Sequence, residues 1–224
     1  MDIYDRLGVA RRVNGAGTLT RLGGSLMAPE VLDAMREAAG GFVDIAELQA
    51  AASNAIARHT GAEAGLVTSG AAAALTLATA ACLTGMDAAA MDRLPDTDGM
   101  AREVVMCRHH RTGYDHAIRA AGARIREVGF NDRAMGAGVR GVEPWEIAAA
   151  IGPATVAVAY AASPANDPPL AEVAEIAHAH ELPVIVDAAA QLPPKTNLTR
   201  FIADGADLVA YSCLLYTSDA ADES

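Results

Sequence analysis

The chain has 224 residues, of which 52% are apolar and only 4% aromatic, and its formal net charge is −11. So few aromatic residues favour a core of Ala, Val, Leu and Ile, as in helices packed on a parallel sheet, over an aromatic-rich β-sandwich. The negative charge argues against general nucleic-acid binding, because such binding needs a basic face that displaces counterions from phosphates. It still permits a small anionic ligand held by a few local arginines.

The sequence also predicts a cytoplasmic protein. No apolar run reaches the roughly 18 residues that a membrane span needs, and residues 1–6 have neither the basic nor the apolar region of an export signal. Cys82, Cys107 and Cys213 are odd in number and lack Cys-x-x-Cys spacing. We therefore expect no membrane contact, no disulfide framework and no metal site.

The first 60 residues are predicted to form a separate N-terminal segment. Residues 14–26 are rich in Gly and Thr, which indicates an irregular, ligand-accessible loop. Pro29 is predicted to open a helix that stops at Gly40-Gly41. Asp44 is predicted to cap a longer helix that ends near Thr60-Gly61.

From residue 61 onward, short apolar strands alternate with helices. The predicted strands are 64–68, 104–107, 123–128, 155–161, 183–187 and 207–211, and the predicted helices are 71–83, 114–121, 143–151 and 170–180. Residues 86–102 are predicted to be a polar surface loop. Such alternation is typical of βαβ units and a parallel sheet, so residues 61–212 are predicted to form one α/β domain.

Residues 213–224 do not continue this pattern. The string resembles translated adaptor sequence appended to reading frames from short-read assemblies. We expect it to be an artefactual tail, and a genuine tail is the alternative.

Ligands of parallel α/β sheets bind beyond the carboxyl ends of the strands, and three segments fall there. The first contains Thr68, Ser69, Gly70 and Ala71, where a predicted strand turns into a helix. The amides of that helix start, with the Thr68 and Ser69 hydroxyls, would form a phosphate cradle. Ordinary helix capping by Ser69 is the alternative.

The second segment ends in Asp187, an acid at the end of an apolar strand. Burying it is costly unless it meets a cation such as a protonated pyridine nitrogen. A Mg²⁺ ligand or a helix N-cap is the alternative. In the third segment, residues 107–116, His and Tyr can stack on a flat ring and Arg can pair with an anion. Adjacent His109 and His110 point apart on a strand and make a poor metal pair.

In chain order, these motifs resemble one family. Residues 14–24, 68–73, 111–122 and 185–198 resemble the selenocysteine synthase (seryl-tRNA selenium transferase)-like group of fold-type-I pyridoxal-phosphate (PLP) enzymes. Within that group they are most similar to the D-glucosaminate-6-phosphate ammonia-lyase branch. The resemblance extends from about residue 4 to Ser212. It implies a three-layer αβα large domain of the aspartate aminotransferase fold, incomplete here and without the small C-terminal domain.

The resemblance also implies residue roles. Thr68, Ser69, Gly70 and Ala71 would bind the PLP phosphate, Asp187 would pair with the pyridine nitrogen, and His110 or a neighbour would cover the ring. Gln191 would lie near the O3′ side of the cofactor, and Ser212 would follow the last matched strand. Thr18, Thr20 and Arg21 would face the substrate.

The lysine that holds PLP covalently in this family is missing from the matched position. In the family the last strand leads into Ser-Gly-Gly-Lys, and here Ser212 matches while Cys213 departs. The only lysine of the chain, Lys195, lies in a Pro-Pro-Lys-Thr-Asn segment that the family carries in addition to its covalent lysine. We therefore assign no catalytic residue in this chain.

For the parent protein, the resemblance implies a PLP-dependent lyase. It would remove ammonia, with water, from a phosphorylated amino-sugar acid or a related amino acid, and it would form a homodimer or higher oligomer. The chain as written is predicted to be inactive. The alternatives are a seryl-tRNA selenium transferase, which would need a basic tRNA surface, a class-V-aminotransferase-like enzyme, and a non-catalytic fragment.

Overall fold

The computed structural model describes residues 2–15, 17, 19–129, 141–163 and 168–213. By their contacts these form two compact units, residues 2–41 and residues 42–213. The first unit contains helix α1 (Ile3–Leu7), a 3₁₀ turn (Thr20–Leu22) and helix α2 (Pro29–Ala38). As predicted, α2 begins with Pro29 and ends just before Gly40-Gly41, because proline fixes the first helical φ and glycine favours the end.

A parallel sheet of five strands forms the centre of the second unit. Its strands are β1 (Glu103–Cys107), β2 (Arg124–Val128), β3 (Thr155–Ala161), β4 (Val184–Asp187) and β5 (Leu208–Ala210). They lie side by side in the order β2-β1-β3-β4-β5, and all the pairs are parallel. The chain therefore builds outward from β1 in one direction and then, from β3 onward, in the other.

Helices lie on both faces of this sheet. Those packed on it are α4 (Ala71–Thr84), α6 (His116–Ala120), α7 (Pro144–Ala150), α8 (Leu170–Ala179) and α9 (Asn197–Ala203). Helix α3 (Ile45–Thr60) contacts α9, and α5 (Ala88–Arg93) contacts α4. Asp44 caps α3 by accepting hydrogen bonds from the amides of Ala46 and Glu47, and Gly61 ends it in the left-handed conformation, as the sequence predicts.

The strand residues alternate between two core clusters. Val104, Met106, Ala157, Ala159 and Ile185 pack with α4 and α6 on one face. Val105, Val158, Tyr160, Val184 and Val186 pack with α7, α8 and α9 on the other. Because successive strand residues point to opposite faces, a sheet buried on both sides reads as a continuous apolar run. The predicted three-layer αβα arrangement is confirmed.

Two of the predicted elements are wrong. Residues 64–68 are not a strand: the side chain of Gln49 on α3 satisfies the backbone of Val67, and Ser53 accepts from the amide of Gly65. Residues 86–102 are more than a surface loop, since they contain α5 and the buried Thr97, whose hydroxyl donates to the Gly122 carbonyl at 2.8 Å. Helix α9 was not predicted.

Among the described residues, no helix combines the length and the apolarity that crossing a bilayer requires.

Candidate functional site

A cleft lies where the direction of sheet growth reverses, between β1 and β3. The chain leaves β1 for α6 on one face and leaves β3 for α8 on the other, so the two connections diverge at the carboxyl ends of these neighbouring strands and leave a crevice. The cleft is lined by Leu75, Met106, Thr112, Asp115, Ile118, Ala159, Tyr160, Ala161, Ile185 and Asp187. Polar groups therefore reach it from three directions, on an otherwise apolar lining.

Asp187, the last residue of β4, lines this cleft. One of its carboxylate oxygens, Oδ1, accepts a hydrogen bond from the Ala189 amide at 3.1 Å. Burial raises the pKa of Asp187, and the bond from the Ala189 amide only partly opposes that effect. Within the described residues no cation pairs with this carboxylate. A carboxylate at a strand end with a raised pKa and no cationic partner is suited to bind a cationic group of a ligand.

The start of α4, where the sequence predicts a phosphate cradle, has no side-chain cap. Gly70 is the N-cap residue, and no side chain caps the helix, so Ser69 does not have the capping role considered as its alternative. The Thr68 hydroxyl instead donates to the Gly70 carbonyl at 2.9 Å. Gly70 has φ +112°, and a Cβ there would meet nothing within 4 Å. The first turn of α4, which begins at Ala71, is therefore left without a side-chain cap.

His110 closes the 3₁₀ turn Arg108–His110 that follows β1. Only 3% of it is exposed, and neither ring nitrogen has a hydrogen-bond partner within the described part of the chain. Burial, with the nearby charge of His109, lowers the pKa of His110 to about 4, so the ring is neutral near pH 7. The edge of its ring meets Tyr160 of β3, with centroids 4.6 Å apart. Two unsatisfied buried nitrogens are unusual and call for a partner outside these residues.

Charged side chains surround this turn. Asp115 is buried and accepts from Arg111 Nε at 2.5 Å and from Arg119 Nε at 3.3 Å. Burial alone would raise the pKa of Asp115, but the hydrogen bonds and charges of the two arginines hold it below its usual value. Glu127 of β2 accepts from both Arg108 and Arg111. The arginines of the third predicted segment are thus paired within the protein and are not free to bind an anion.

The remaining predicted residues are spread more widely. Gln191 lies after β4, and its Nε2 donates to the Ala162 carbonyl just past β3 at 2.9 Å, so it lies at the same sheet edge. Ser212 follows β5 and is half-buried. Thr20 and Arg21 are exposed in the 3₁₀ turn of the first unit, whereas Thr18 lies outside the described residues. Lys195 is exposed between β4 and α9.

Sequence reasoning missed two residues of this region. Tyr160 was not identified because a tyrosine inside an apolar strand looks like a core residue, and its hydroxyl does contact the Pro168 carbonyl at 3.4 Å. Glu127 was missed because a single charged residue in a short predicted strand is usually solvated. The usable signal was three arginines, Arg108, Arg111 and Arg119, in one short acid-poor stretch of a chain that is otherwise acidic.

Fold and cleft together define a doubly wound α/β protein with a cleft at the carboxyl edge of its parallel sheet. No family model matches the chain. It is 38% identical over 219 residues to the D-glucosaminate-6-phosphate ammonia lyase of Salmonella typhimurium (strain 14028s / SGSC 2262), an alignment that covers 94% of this chain and 56% of that protein.

A second relative is the 5′-C-glycyluridine monooxygenase-decarboxylase of a Streptomyces species, 35% identical over 219 residues, with 93% of this chain and 52% of that protein covered. A solved structure of D-glucosaminate-6-phosphate ammonia-lyase matches with a TM-score of 0.84 and 38% identity, covering 95% of this chain and 56% of that one. The chain therefore spans about half the length of the curated relatives it matches. The predicted α/β large-domain fold agrees with this structural match.

Proposed function

We propose that the chain is the PLP-binding part of a lyase that removes ammonia and water from a phosphorylated amino-sugar acid. The observation that supports this most is Asp187, a half-buried carboxylate without a cation among the described residues, in a switch-point cleft. The similarity to an ammonia lyase supports the reaction class and the anionic substrate. The wider selenocysteine synthase-like grouping belongs to the same proposal, as do a cytoplasmic location and a homodimer or higher oligomer.

The chemistry of the predicted residues suits PLP, which carries a phosphate, a flat ring and a basic ring nitrogen. The start of α4, with Thr68, Ser69, Gly70 and Ala71, would hold the phosphate, because no side chain caps the helix and a Cβ at Gly70 would meet nothing within 4 Å. Asp187 would hold the protonated ring nitrogen. His110 would cover the ring, and Gln191 and Ser212 would lie at its margin. When bound, PLP supplies an electron sink for negative charge formed on the substrate.

Asp187 has the central part in this arrangement. Ion pairing with a protonated ring nitrogen would lower the pKa that burial has raised, and the carboxylate would keep that nitrogen protonated. His110 would act as a neutral ring rather than as a cation, because its own pKa lies near 4. The substrate would be anionic and would meet Arg21, with Thr18 and Thr20, in a role that rests on the resemblance alone.

We further propose that the 224-residue polypeptide is inactive as a lyase. Its only lysine, Lys195, lies on the exposed connection between β4 and α9 rather than after β5. Without a lysine at the site, neither covalent attachment of PLP nor proton removal from the substrate carbon has its usual group.

Binding of PLP to the purified chain tests the cofactor proposal. Equilibrium dialysis, with ³¹P NMR of the bound phosphate, is expected to give one saturable site. Borohydride followed by mass spectrometry is expected to give no stable adduct. No saturable binding would contradict the cofactor site, and a stoichiometric adduct on Lys195 would contradict the predicted inactivity. Circular dichroism with and without PLP provides the control for folding.

Sequencing the source DNA across the codon for Ser212 tests the enzymatic proposal. If Gly-Gly-Lys and a further domain of about 150 codons follow, the longer protein should release ammonia from D-glucosaminate 6-phosphate. Oxygen uptake is measured in parallel, because the second relative is named a monooxygenase-decarboxylase. Oxygen-dependent turnover, amino transfer to a keto acid, or selenium transfer to seryl-tRNA would each replace the lyase assignment. If the frame ends at Ser224, the non-catalytic fragment replaces it.

A further inference from the structure

The turn that carries His110 is bounded by two arginines. Arg108 begins the 3₁₀ turn after β1, and Arg111 follows directly after it. His110 is buried, yet it has no hydrogen bond to a described residue, and the rings of His109 and Tyr160 lie against its ring. Packing contacts have less directional preference than hydrogen bonds, so they fix the orientation of the ring less tightly. The orientation of His110 therefore also depends on what fixes the backbone of the turn.

One carboxylate binds both arginines. On β2, Glu127 Oε2 lies 3.1 Å from Arg108 Nε, and Glu127 Oε1 accepts from Arg111 Nη1. Each oxygen thus serves one side of the turn. Glu127 lies opposite Met106 in the β1–β2 register, so it projects from the sheet just beside the point where β1 ends. We call Glu127, Arg108 and Arg111 the turn clamp.

A second carboxylate supports the clamp from the other side. Asp115 accepts from Arg111 Nε at 2.5 Å, so the Arg111 guanidinium is held by two acids at once. The side chain of Asp115 is 3% exposed, and that of Arg111 is 26% exposed. Charge-assisted bonds in such a partly buried network are stronger and less mobile than isolated surface ion pairs.

We propose that Glu127 is a positioning residue that fixes the His110 ring through Arg108 and Arg111. The proposal rests on the proposed function in one respect, that the ring so fixed is the one that covers PLP. Glu127 would touch neither cofactor nor substrate. Its contribution would be to keep His110 edge-on to Tyr160, so that the ring is already in place when the ligand binds.

The matched control is a second ion pair between the same two strands. Glu103 of β1 lies 3.3 Å from Arg126 of β2, and the exposure of this carboxylate resembles that of Glu127, 31% against 34%. It lies at the other end of β1, away from the turn. Glu127→Gln and Glu103→Gln therefore each remove one similarly exposed, ion-paired carboxylate from the neighbouring strands β2 and β1, and only the first removes the clamp.

Histidine-selective NMR of the chain without PLP measures the clamp directly. The chain has six histidines, and a His110→Gln spectrum assigns the signal of interest. Glu127→Gln is expected to move the His110 ring resonances and to weaken the contacts between the His110 and Tyr160 rings. Glu103→Gln is expected to leave both unchanged. Glu127→Asp keeps the negative charge on a side chain one methylene shorter, and its His110 ring resonances should lie closer to those of the native chain.

PLP affinity is measured on the same samples and is expected to fall about tenfold in Glu127→Gln only, within the range that outer-shell partners of bound groups cost. Unchanged His110 signals in Glu127→Gln would overturn the proposed role of the clamp, whether or not the PLP affinity changes. Moved signals in a protein that does not bind PLP would support the clamp and contradict the proposed function. Should Glu127→Gln fail to fold, Arg108→Gln removes one exposed ion pair of the clamp. The His110 ring resonances must then differ from those of the native chain.

Discussion

The side-chain amide of Gln49 makes both backbone hydrogen bonds of Val67. Its Nε2 donates to the Val67 carbonyl at 2.8 Å, and its Oε1 accepts from the Val67 amide at 3.2 Å. A neighbouring strand would offer the same donor and acceptor, so the side chain of α3 takes the place of a sheet partner. Thr68, Ser69 and Gly70 follow immediately, which ties the start of α4 to α3.

Replacing Gln49 should loosen this segment. Each lost hydrogen bond contributes about 1 kcal/mol, so Gln49→Ala is expected to speed hydrogen exchange of the Val67 amide about tenfold or more. Gln49→Glu keeps an acceptor for the amide but loses the donor, and it should give a smaller change. The Gly65 amide, which donates to Ser53 Oγ at 3.0 Å, is the internal reference. Equal exchange rates of the Val67 amide in the native chain and in both variants would show that the Gln49 hydrogen bonds do not protect it.

Asp187→Asn is expected to stabilise the chain without PLP and to weaken PLP binding. The carboxylate is half-buried and this burial raises its pKa, so its charge costs free energy near neutral pH. The amide keeps an oxygen for the Ala189 N–H, and unfolding in urea should show a gain of about 1 kcal/mol. Dialysis should show the loss of affinity, because an amide cannot pair with a cationic ring nitrogen.

Asp207→Asn provides the opposite case in the same protein. Asp207 Oδ2 accepts from the Val184 amide at 2.8 Å and contacts His178 Nε2 at 2.8 Å, at the amino ends of β4 and β5. Its charge has partners, so the same chemical change should destabilise the chain and leave PLP affinity unaltered. If Asp187→Asn and Asp207→Asn change the free energy of unfolding in the same direction, the lack of a cationic partner for Asp187 does not explain its effect on stability.

The stability of the chain should depend on His110 in mild acid. In the unfolded chain a histidine binds a proton near pH 6.5, whereas the folded pKa of His110 is about 4. The contribution of His110 to the free energy of unfolding is therefore fully present above pH 6.5. It decreases as the pH falls from 6.5 to about 4 and does not change further below that. The total loss is about 3 kcal/mol. Urea titrations at several pH values should show this slope in the native chain and not in His110→Phe.

The exposed His116 offers a control, because His116→Gln should keep the slope. Asp187 acts with the opposite sign in acid. Its folded pKa is raised, so its contribution is greatest below the unfolded pKa and is lost as the pH rises through the folded one. Repeating the titration in Asp187→Asn separates the two groups. A slope that persists in His110→Phe would mean that another group causes it.

Gly122 should tolerate no side chain. It has φ +100°, and a Cβ would lie 2.4 Å from the Pro95 carbonyl oxygen and 2.7 Å from Thr97 Cγ2. Gly122→Ala is therefore expected to cost about 2 kcal/mol or more, because both the backbone and its neighbour must shift. Gly152→Ala, where a Cβ meets nothing within 4 Å, should change stability by about 0.5 kcal/mol or less. Urea midpoints of the two variants give the comparison.

The elements with local signals were predictable. Pro29, Asp44 and Gly61 fixed helix ends through their own backbone or side-chain chemistry, and the apolar runs of β1, β3 and β4 could be recognised because buried parallel strands have no polar face. Asp187 was predictable as a site residue for the same reason. An acid that directly ends such a run stands out.

What depended on partners distant in sequence was not predictable. Residues 64–68 have strand composition, and only the amide of Gln49, 18 residues before Val67, decides how their backbone is satisfied. Helix α9 buries Asn197 and Phe201 but little else, so its sequence lacks a clear apolar stripe. Asn197 is buried because its Nδ2 donates to the Gln191 carbonyl at 2.7 Å, a contact that composition does not reveal.

The two core clusters differ in the size of their side chains. Opposite α7 and α8 strand β3 presents Val158 and Tyr160, whereas on the α4 and α6 face β3 presents Ala157 and Ala159 and β5 presents Ala210, in one cluster with alanines of α4. Small residues on a sheet and on a helix let the two lie close together, so the alanines of β3 and β5 help to set the distance between α4 and the sheet. Larger side chains at these three positions would therefore shift the start of α4, and with it the proposed phosphate site, without touching a ligand.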